Sequence, residues 1–459
     1  MYFTSLRHHI FQINTQGGDK VIKVIELFSG IGAQAQGLKE ANIEHEVIAI
    51  SDIDKYANKV YKALHGDVYN FGDIREIKKL PKADLWTYSF PCTDISIAGR
   101  LEGLGEETRS GLLWQVKRLL EISKENDELP KFLLLENVKN LVSKRFIAEF
   151  NKWLSFLESL GYKNYWKIMN AKDYGIPQNR ERVFCISIRG EHSPFLFPEK
   201  QELKVTLKDL LEKEVDESYF LSDKMLNYLL AETKTKYDRK ARFIGNLIRK
   251  NQDVAVTVTT NAGSRAVDNF IPTDENGEDL LPIKNATKLG FLLARDGDGV
   301  DISGRIQYHR GTVQQGITQT IKTSPDVGVV VACAQRKRDD GKQHIEVSNR
   351  EYANAITTVQ KDSMILDDTY KNRSVREYEN YSPTIRAGRS GLKVKEKLRI
   401  RKLTPRECMR LMGWSDENID KMINSGVSKT QLYKMAGNSI VVNCLTEIFK
   451  KIKGVKDYV

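Results

Sequence analysis

The stretch "IELFSGIGAQAQG", residues 25–37, decides the fold. It opens on apolar residues that end a strand, and "VIKVIELF" (21–28) extends that run upstream. Gly30, Gly32 and Ala35 then satisfy G-x-G-x-x-A. The two glycines permit a tight turn and let backbone approach a ligand closely. Asp52 lies 20 residues beyond Gly32, at the end of the next apolar run, "HEVIAIS" (45–51). A carboxylate there can accept hydrogen bonds from ribose hydroxyls. A bare glycine pattern is a weak signal, but the strand before it and the acid after it favour a nucleotide site. Two cofactor classes fit: a nicotinamide or flavin dinucleotide, and S-adenosylmethionine.

Outward from this stretch, "ADLWTYSF" (83–90), "KFLLLEN" (131–137) and "RVFCISI" (182–188) read as further strands. Between the strands lie the amphipathic stretches "DKYANKVYKALH" (54–65) and "GLLWQVKRLLEISKE" (111–125). Strand–helix alternation predicts an α/β fold, a doubly wound and mainly parallel sheet covered on both faces, with ligands at the strands' carboxyl ends. After "FLFPEK" (195–200) the chain becomes rich in Thr, Asn, Gly, Lys and Arg. One helical piece, "SDKMLNYLLAET" (222–233), leads into the basic stretch 234–250, and short strands with turn residues follow. The expected organisation is a tail (1–20), an α/β domain with the nucleotide site (21–198), a second, mostly β domain (199–398) and a helical C-terminal segment (399–459). In "LTPRECMRLMGW" (403–414), Thr404 is a good N-cap, Pro405 fits the first helical position, Glu407 completes a capping box, and Gly413 can stop the helix.

The chain has 459 residues and a formal charge of +11, which favours a polyanionic partner such as nucleic acid. No run approaches the ~18 apolar residues of a membrane span. The first 20 residues lack the apolar core and cleavage site of a secretory signal. Five widely spaced cysteines without a CxxC pair suggest neither zinc nor disulfides, so no metal is expected and a reducing cytoplasm fits.

Three further groups carry chemistry. Cys92 follows Pro91 on the loop leaving a strand, beside polar Thr93, Asp94 and Ser96, and is a candidate nucleophile. Cys185 and Cys444 lie in apolar runs and read as small buried hydrophobes. Glu136 ends the strongly apolar "LLLEN"; partial burial would raise its pKa and suit it to share a proton, although a surface pair beside a helix cap is the blander reading. Arg180 and Arg182 share one face before a strand and could meet anionic or carbonyl oxygens, or simply be solvated.

Taken in order, "ELFSGIG", "SDIDKYA", "GDI", "PC", "ENV", "QNRER", "LTPRE" and "AGNS" resemble the DNA cytosine-5 methyltransferases of bacteria and phages. The resemblance covers roughly residues 24–190 and 400–445. It implies S-adenosylmethionine as cofactor, with Phe28, Ser29, Gly30, Gly32 and Pro91 against it, Asp52 on the ribose, Ile53 on the adenine face, and Asp73 with Ile74 at the adenine amino group. Asn438 and Ser439 would return to the same pocket. It implies that Cys92 adds to cytosine C6, that Glu136 binds the N3/N4 edge, and that Arg182 with Arg180 contacts O2 of a flipped-out base. Thr93 departs from the glutamine many members carry, which puts local loop contacts in doubt. The glycine-rich loop 93–110 is expected to close over the base, with Ser96 and Arg100 on DNA.

Residues 200–395 carry no usable resemblance. They hold a weak repeat, "AVTVTT" (255–260), "TQTIKT" (318–323), "ANAITT" (353–358) and "SPTIRA" (382–387), each followed by an apolar tail. Strand, turn, strand predicts four related hairpins. Arg239 and Lys240 are expected on phosphates, and Arg386 and Arg389 on base edges. The expected partner is double-stranded DNA, acted on by a monomer in a bacterial or phage-infected cell, with a cognate restriction endonuclease as a candidate associate. The rivals are a tRNA methyltransferase, an inactive DNA-binding relative, and a dinucleotide oxidoreductase.

Overall fold

The computed structural model describes residues 21–91, 112–220, 246–247, 269–270, 280–287, 291–302, 311–321, 323, 327–337, 343–347, 364–367, 376–378, 392–395 and 397–453. The expectations for the tail, Cys92, Ser96, Arg100, the loop 93–110, the helical piece 222–233, Arg239, Lys240, Arg386 and Arg389 lie outside these residues.

The largest sheet has six strands: β1 (Ile22–Leu27), β2 (His45–Ser51), β3 (Leu85–Tyr88), β4 (Phe132–Val138), β5 (Tyr162–Asn170) and β7 (Glu181–Arg189). A two-residue strand, β6 (Gln178–Asn179), lies outside it. Their spatial order is β2-β1-β3-β4-β7-β5. The first three pairings are parallel, while β7 runs antiparallel to both β4 and β5. The chain reverses its strand order at β1, so a crevice opens beyond the carboxyl ends of β1 and β3.

Helices α1 (Ala33–Glu40), α2 (Lys55–His65), α3 (Leu113–Glu125) and α4 (Ile147–Ser159) belong to the same domain. The N-terminus of α2 is capped by Asp54, whose side chain accepts from the amides of Tyr56 and Ala57; Ala57, Val60 and Tyr61 form its buried stripe. One face of the sheet is covered by Trp86, Leu119, Leu133, Phe150 and Trp153. The other is covered by residues from both ends of the chain, with Leu38 and Val60 beside Leu445, Ile448 and Phe449. The C-terminal helix Val442–Lys453 packs so tightly on α1 that a Cβ on Gly37 would lie 2.7 Å from Leu445 Cβ.

The remaining described strands form smaller sheets. Val327–Lys337 is the central one, antiparallel to Gly299–Asp301, Gln343–Val347 and Lys397–Lys402. Ile283, Ala294, Val300, Ile302, Val330 and Ile400 make their apolar core. The hairpin expectation needs correction here. Thr318–Gln319 does not pair with its apolar tail but runs parallel to β6, while the tail 327–337 is taken by three other strands. The cause is the buried Gln178 side chain, which accepts from the Ile321 amide at 3.0 Å and draws this segment to the residues just before β7. The last two tails pair with each other, Met364–Asp367 against Leu392–Lys395.

Strand Lys397–Lys402 turns directly into helix Pro405–Arg410. Thr404 caps that helix in a capping box with Glu407, and Gly413 follows it at φ 83°. Arg401 and Glu407 form a bidentate pair at 2.7 and 2.8 Å, both side chains fully buried.

Candidate active site

The glycine loop joins β1 to α1 through three left-handed residues, Phe28 (φ 57°), Gly30 (φ 55°) and Gly32 (φ 78°). A left-handed phenylalanine is uncommon and marks a constrained turn. The Phe28 amide donates to Ser51 O at 2.7 Å, which pins the loop to the end of β2. The two glycines serve different ends. A Cβ on Gly32 would lie 2.4 Å from His65 Nε2 and 2.8 Å from Tyr61 Cε2, whereas one on Gly30 would meet nothing within 4 Å among the described residues. Gly32 is thus packed against α2, and no described residue crowds Gly30. The buried Ser29 Oγ has no hydrogen-bond partner among the described residues.

Beneath the loop, fully buried Glu26 accepts from the Ala35 amide at 2.7 Å and from Tyr61 Oη at 2.8 Å. Ala35 is in the first turn of α1, where a carboxylate complements the exposed amides. Burial pushes the Glu26 carboxyl up to about 7, against the opposing pull of these bonds. In sequence, the one signal for Glu26 is an acid inside an apolar strand.

Asp52 stands across from the loop. Its two carboxylate oxygens accept from the amides of Gly30 and Asp54, each at 2.8 Å. Burial raises its pKa despite those bonds. Ile53, next in the chain, is 74% exposed. Asp54 is held to Lys434 at 2.7 Å. Burial pushes the Asp54 carboxyl up, but this ammonium and the helix amides outweigh it and hold the pKa below its ordinary value. Asp73 caps a short turn and bonds Arg75 Nε at 3.0 Å, and this bond holds its carboxyl low. Ile74 is buried, Asn438 is exposed and Ser439 is buried. An open cradle at Gly30, a carboxylate at its rim and an exposed apolar side chain beside it fit a nucleoside cofactor.

The second cluster lies at the ends of β4 and β7. Antiparallel register sets Val138 opposite Arg182 and Glu136 opposite Phe184. Arg182 Nε is 3.3 Å from Glu136 Oε1, with both side chains largely buried. Burial raises the Glu136 pKa, and the positive charges of Arg182 and Arg180 offset this only in part. Asn137 donates to Phe90 O at 3.0 Å and so fixes the chain just before Pro91. Cys185 and Cys444 are buried, and burial pushes both thiols up to about 12.

Arg180 is placed differently from Arg182. Its Nη1 donates to Ile321 O at 2.9 Å, and its Nη2 donates to Gly437 O at 2.9 Å and Ser439 O at 2.8 Å. Gln178 Nε2 donates to Leu411 O at 2.6 Å while its Oε1 holds Ile321. The "QNR" tripeptide therefore binds three distant parts of the chain. Arg180 is engaged with backbone carbonyls, which leaves Arg182 as the arginine beside Glu136. Gln178 was not singled out from sequence, because its partners lie more than 140 residues away.

The profile of C-5 cytosine-specific DNA methylases matches residues 22–454. The chain is 30% identical over 478 aligned residues to an orphan methyltransferase of Bacillus phage SPR, covering 94% of this chain and 97% of that one. It is 41% identical over 264 residues to a type II methyltransferase of Lactococcus lactis subsp. cremoris, covering 45% of this chain and 72% of the relative. Among solved structures, a methyltransferase of Entamoeba histolytica superposes with a TM-score of 0.53 at 16% identity, over 95% of this chain and 98% of the other.

Proposed function

The chain belongs to the C-5 cytosine-specific DNA methylases and is a DNA cytosine-5 methyltransferase; from that premise we propose that it is sequence-specific and works through a covalent adduct of Cys92 with a flipped-out cytosine. The observation that carries this reading is the Glu136–Arg182 pair at 3.3 Å, buried at the strand ends next to the segment that leads into Cys92. Cytosine C5 is a poor nucleophile, and adding a thiolate at C6 pushes electron density onto C5. Cys92 makes that bond. Glu136, with its pKa raised by burial, holds a proton on the N3 edge as charge builds in the ring. Arg182 keeps the Glu136 carboxyl in place and presents its guanidinium to the base O2.

S-adenosylmethionine supplies an electrophilic methyl group when bound. Gly30 leaves room for it, Asp52 takes the ribose hydroxyls, and Ile53 covers the adenine face. Asp73, Ile74, Phe28, Ser29, Pro91, Asn438 and Ser439 complete the proposed pocket. Once C5 carries the methyl group, water takes the C5 proton, the C5–C6 double bond re-forms, and the C6–S bond breaks to release the Cys92 thiolate. The target base is inaccessible within a duplex, so it is extruded at a cost of a few kcal/mol. Arg180 acts by holding the 437–439 turn to the rest of the site.

Base choice is assigned to the middle region, with Arg386 and Arg389 on bases, Arg239 and Lys240 on phosphates, and Ser96 and Arg100 on the DNA beside the target. Among the described residues no helix is long and apolar enough to cross a membrane. The proposed enzyme is a monomer acting on duplex DNA in a bacterial or phage-infected cell, with a cognate restriction endonuclease as a candidate associate; the type II and orphan relatives support the DNA substrate and the bacterial or phage setting.

Duplex DNA carrying 5-fluorocytosine at the target tests the mechanism, because fluorine cannot leave as a proton does. A denaturant-stable adduct should form with the parent and be absent with Cys92→Ala, which should still bind DNA and S-adenosylhomocysteine. Turnover by Cys92→Ala, or no adduct with the parent, refutes the mechanism. Transfer to tRNA but not to DNA in a parallel incubation refutes the substrate.

A further inference from the structure

We infer that Asn70 is a positioning residue for the cofactor, fixing the ribose acid Asp52 and the Gly72–Asp73 turn in one geometry. This rests on the pocket reading above. Residues 69–71 run beside the end of β2, with the Ile50 amide donating to Tyr69 O and the Phe71 amide donating to Ile50 O, both at 2.9 Å. That ladder delivers Asn70 to the end of the strand. Its Oδ1 then accepts from the Asp52 amide at 3.1 Å and the Gly72 amide at 2.9 Å, while its Nδ2 donates to Asp52 O at 3.0 Å. The partners fix the orientation of the amide, since two N–H groups need the oxygen and a carbonyl needs the nitrogen.

One side chain therefore satisfies both backbone polar groups of Asp52 and also makes the turn at Gly72, which stands at φ 72°. Asn58 on α2 adds a second donor to Asp52 O at 2.9 Å, and Ser51 Oγ donates to Gly72 O at 2.8 Å. With its backbone held this way, Asp52 keeps its carboxylate between the Gly30 and Asp54 amides at the rim of the cradle. No other residue type does the same. Aspartate lacks the donor, glutamine is a methylene too long, and alanine has neither group. Because Asn70 joins the two segments assigned to ribose and adenine, its loss should loosen the nucleoside end without touching the reacting end.

The test uses the full chain and S-adenosylhomocysteine as the calorimetric probe. Asn70→Ala should bind it roughly tenfold more weakly. Asn58→Ala, which removes a single bond to Asp52, should weaken it less. The cofactor KM should rise with kcat at saturation largely retained, and duplex DNA affinity should stay near the parent's. Asp52→Ala is the reference. If it loses the probe while Asn70→Ala binds normally, the positioning role falls and the pocket stands. If Asp52→Ala binds as the parent does, the pocket reading falls and takes this inference with it. A fall in kcat with KM and probe affinity unchanged would also overturn the inference. Should Asn70→Ala fail to fold, Asn70→Asp, which keeps the acceptor and loses the donor to Asp52 O, takes its place, and parental probe affinity there decides against the role.

Discussion

Replacing Gly32 and Gly30 separately by alanine should separate stability from cofactor binding. At Gly32 the new methyl would lie 2.4 Å from His65 Nε2 and 2.8 Å from Tyr61 Cε2, in a left-handed backbone at φ 78°. Neither neighbour can easily withdraw. Tyr61 is bonded to buried Glu26, and His65 Nε2 donates to Ile31 O at 3.2 Å. A left-handed non-glycine residue costs ~1–2 kcal/mol. Forcing a methyl into packed surroundings adds ~1–3 kcal/mol. The two together reach roughly 2–5 kcal/mol for Gly32→Ala, whereas Gly30→Ala bears only the first cost because no described residue lies within 4 Å. Unfolding entropy scales with length, so for a cooperative chain of this size 1 kcal/mol moves Tm by about 1 °C. Gly32→Ala should then melt about 2–5 °C lower, against about 1–2 °C for Gly30→Ala. Affinity for S-adenosylhomocysteine should rank the other way, because the Gly30 methyl enters the open cradle. Calorimetric titration and thermal scans on both variants provide the comparison. Parental affinity in Gly30→Ala, or a Gly32→Ala protein that melts no lower than Gly30→Ala, refutes the division of labour.

Three other outcomes are expected. Glu136→Gln should lower the methylation rate by orders of magnitude and change DNA affinity far less; equal losses in both would point to a structural role. Glu407→Gln leaves the buried Arg401 charge without its counter-ion and weakens the cap on Thr404, so chemical denaturation should show a loss of ~3–5 kcal/mol. Glu26, raised from 4.5 to about 7, binds its proton more tightly in the folded chain than in the unfolded one. Its contribution is complete below about pH 4.5 and disappears as pH rises through about 7, a span worth roughly 3 kcal/mol. Glu26→Gln should flatten the Tm profile over that window, and an unchanged slope would argue against the buried acid.

Local signals were the legible ones. The Thr404–Glu407 box depends on neighbours within three residues, so sequence suffices to find it. The strand–turn–acid arrangement of β1, Gly30 and Asp52 was legible for the same reason. Strand β5, "YKNYWKIMN", was not identified: it lies at the sheet edge, and its lysines interrupt the apolar pattern. The reversed direction of β7 is set by how the chain crosses from β5, not by its own residues. Arg180 and Arg182 look alike in "QNRER", yet one grips carbonyls of residues 321, 437 and 439 and the other sits on Glu136. No spacing rule separates them, because the difference lies in segments that arrive from elsewhere in the chain. The "TQTIKT" segment misled for a similar reason, its partner being β6 and not its own tail.

The close packing of the C-terminal helix on α1 also bears on the order of synthesis. Leu38 leaves the ribosome early, but Leu445, Ile448 and Phe449, which complete its surroundings, follow some 400 residues later. At ~5–20 residues per second the gap is between about 20 and 80 s. Throughout that interval the apolar face of α1 stays uncovered by its final neighbours, while the middle region emerges and can begin to fold. The nascent chain must therefore hold an incomplete nucleotide-binding domain in a soluble state until its last helix arrives, and that waiting period is when a chaperone would have a surface to bind.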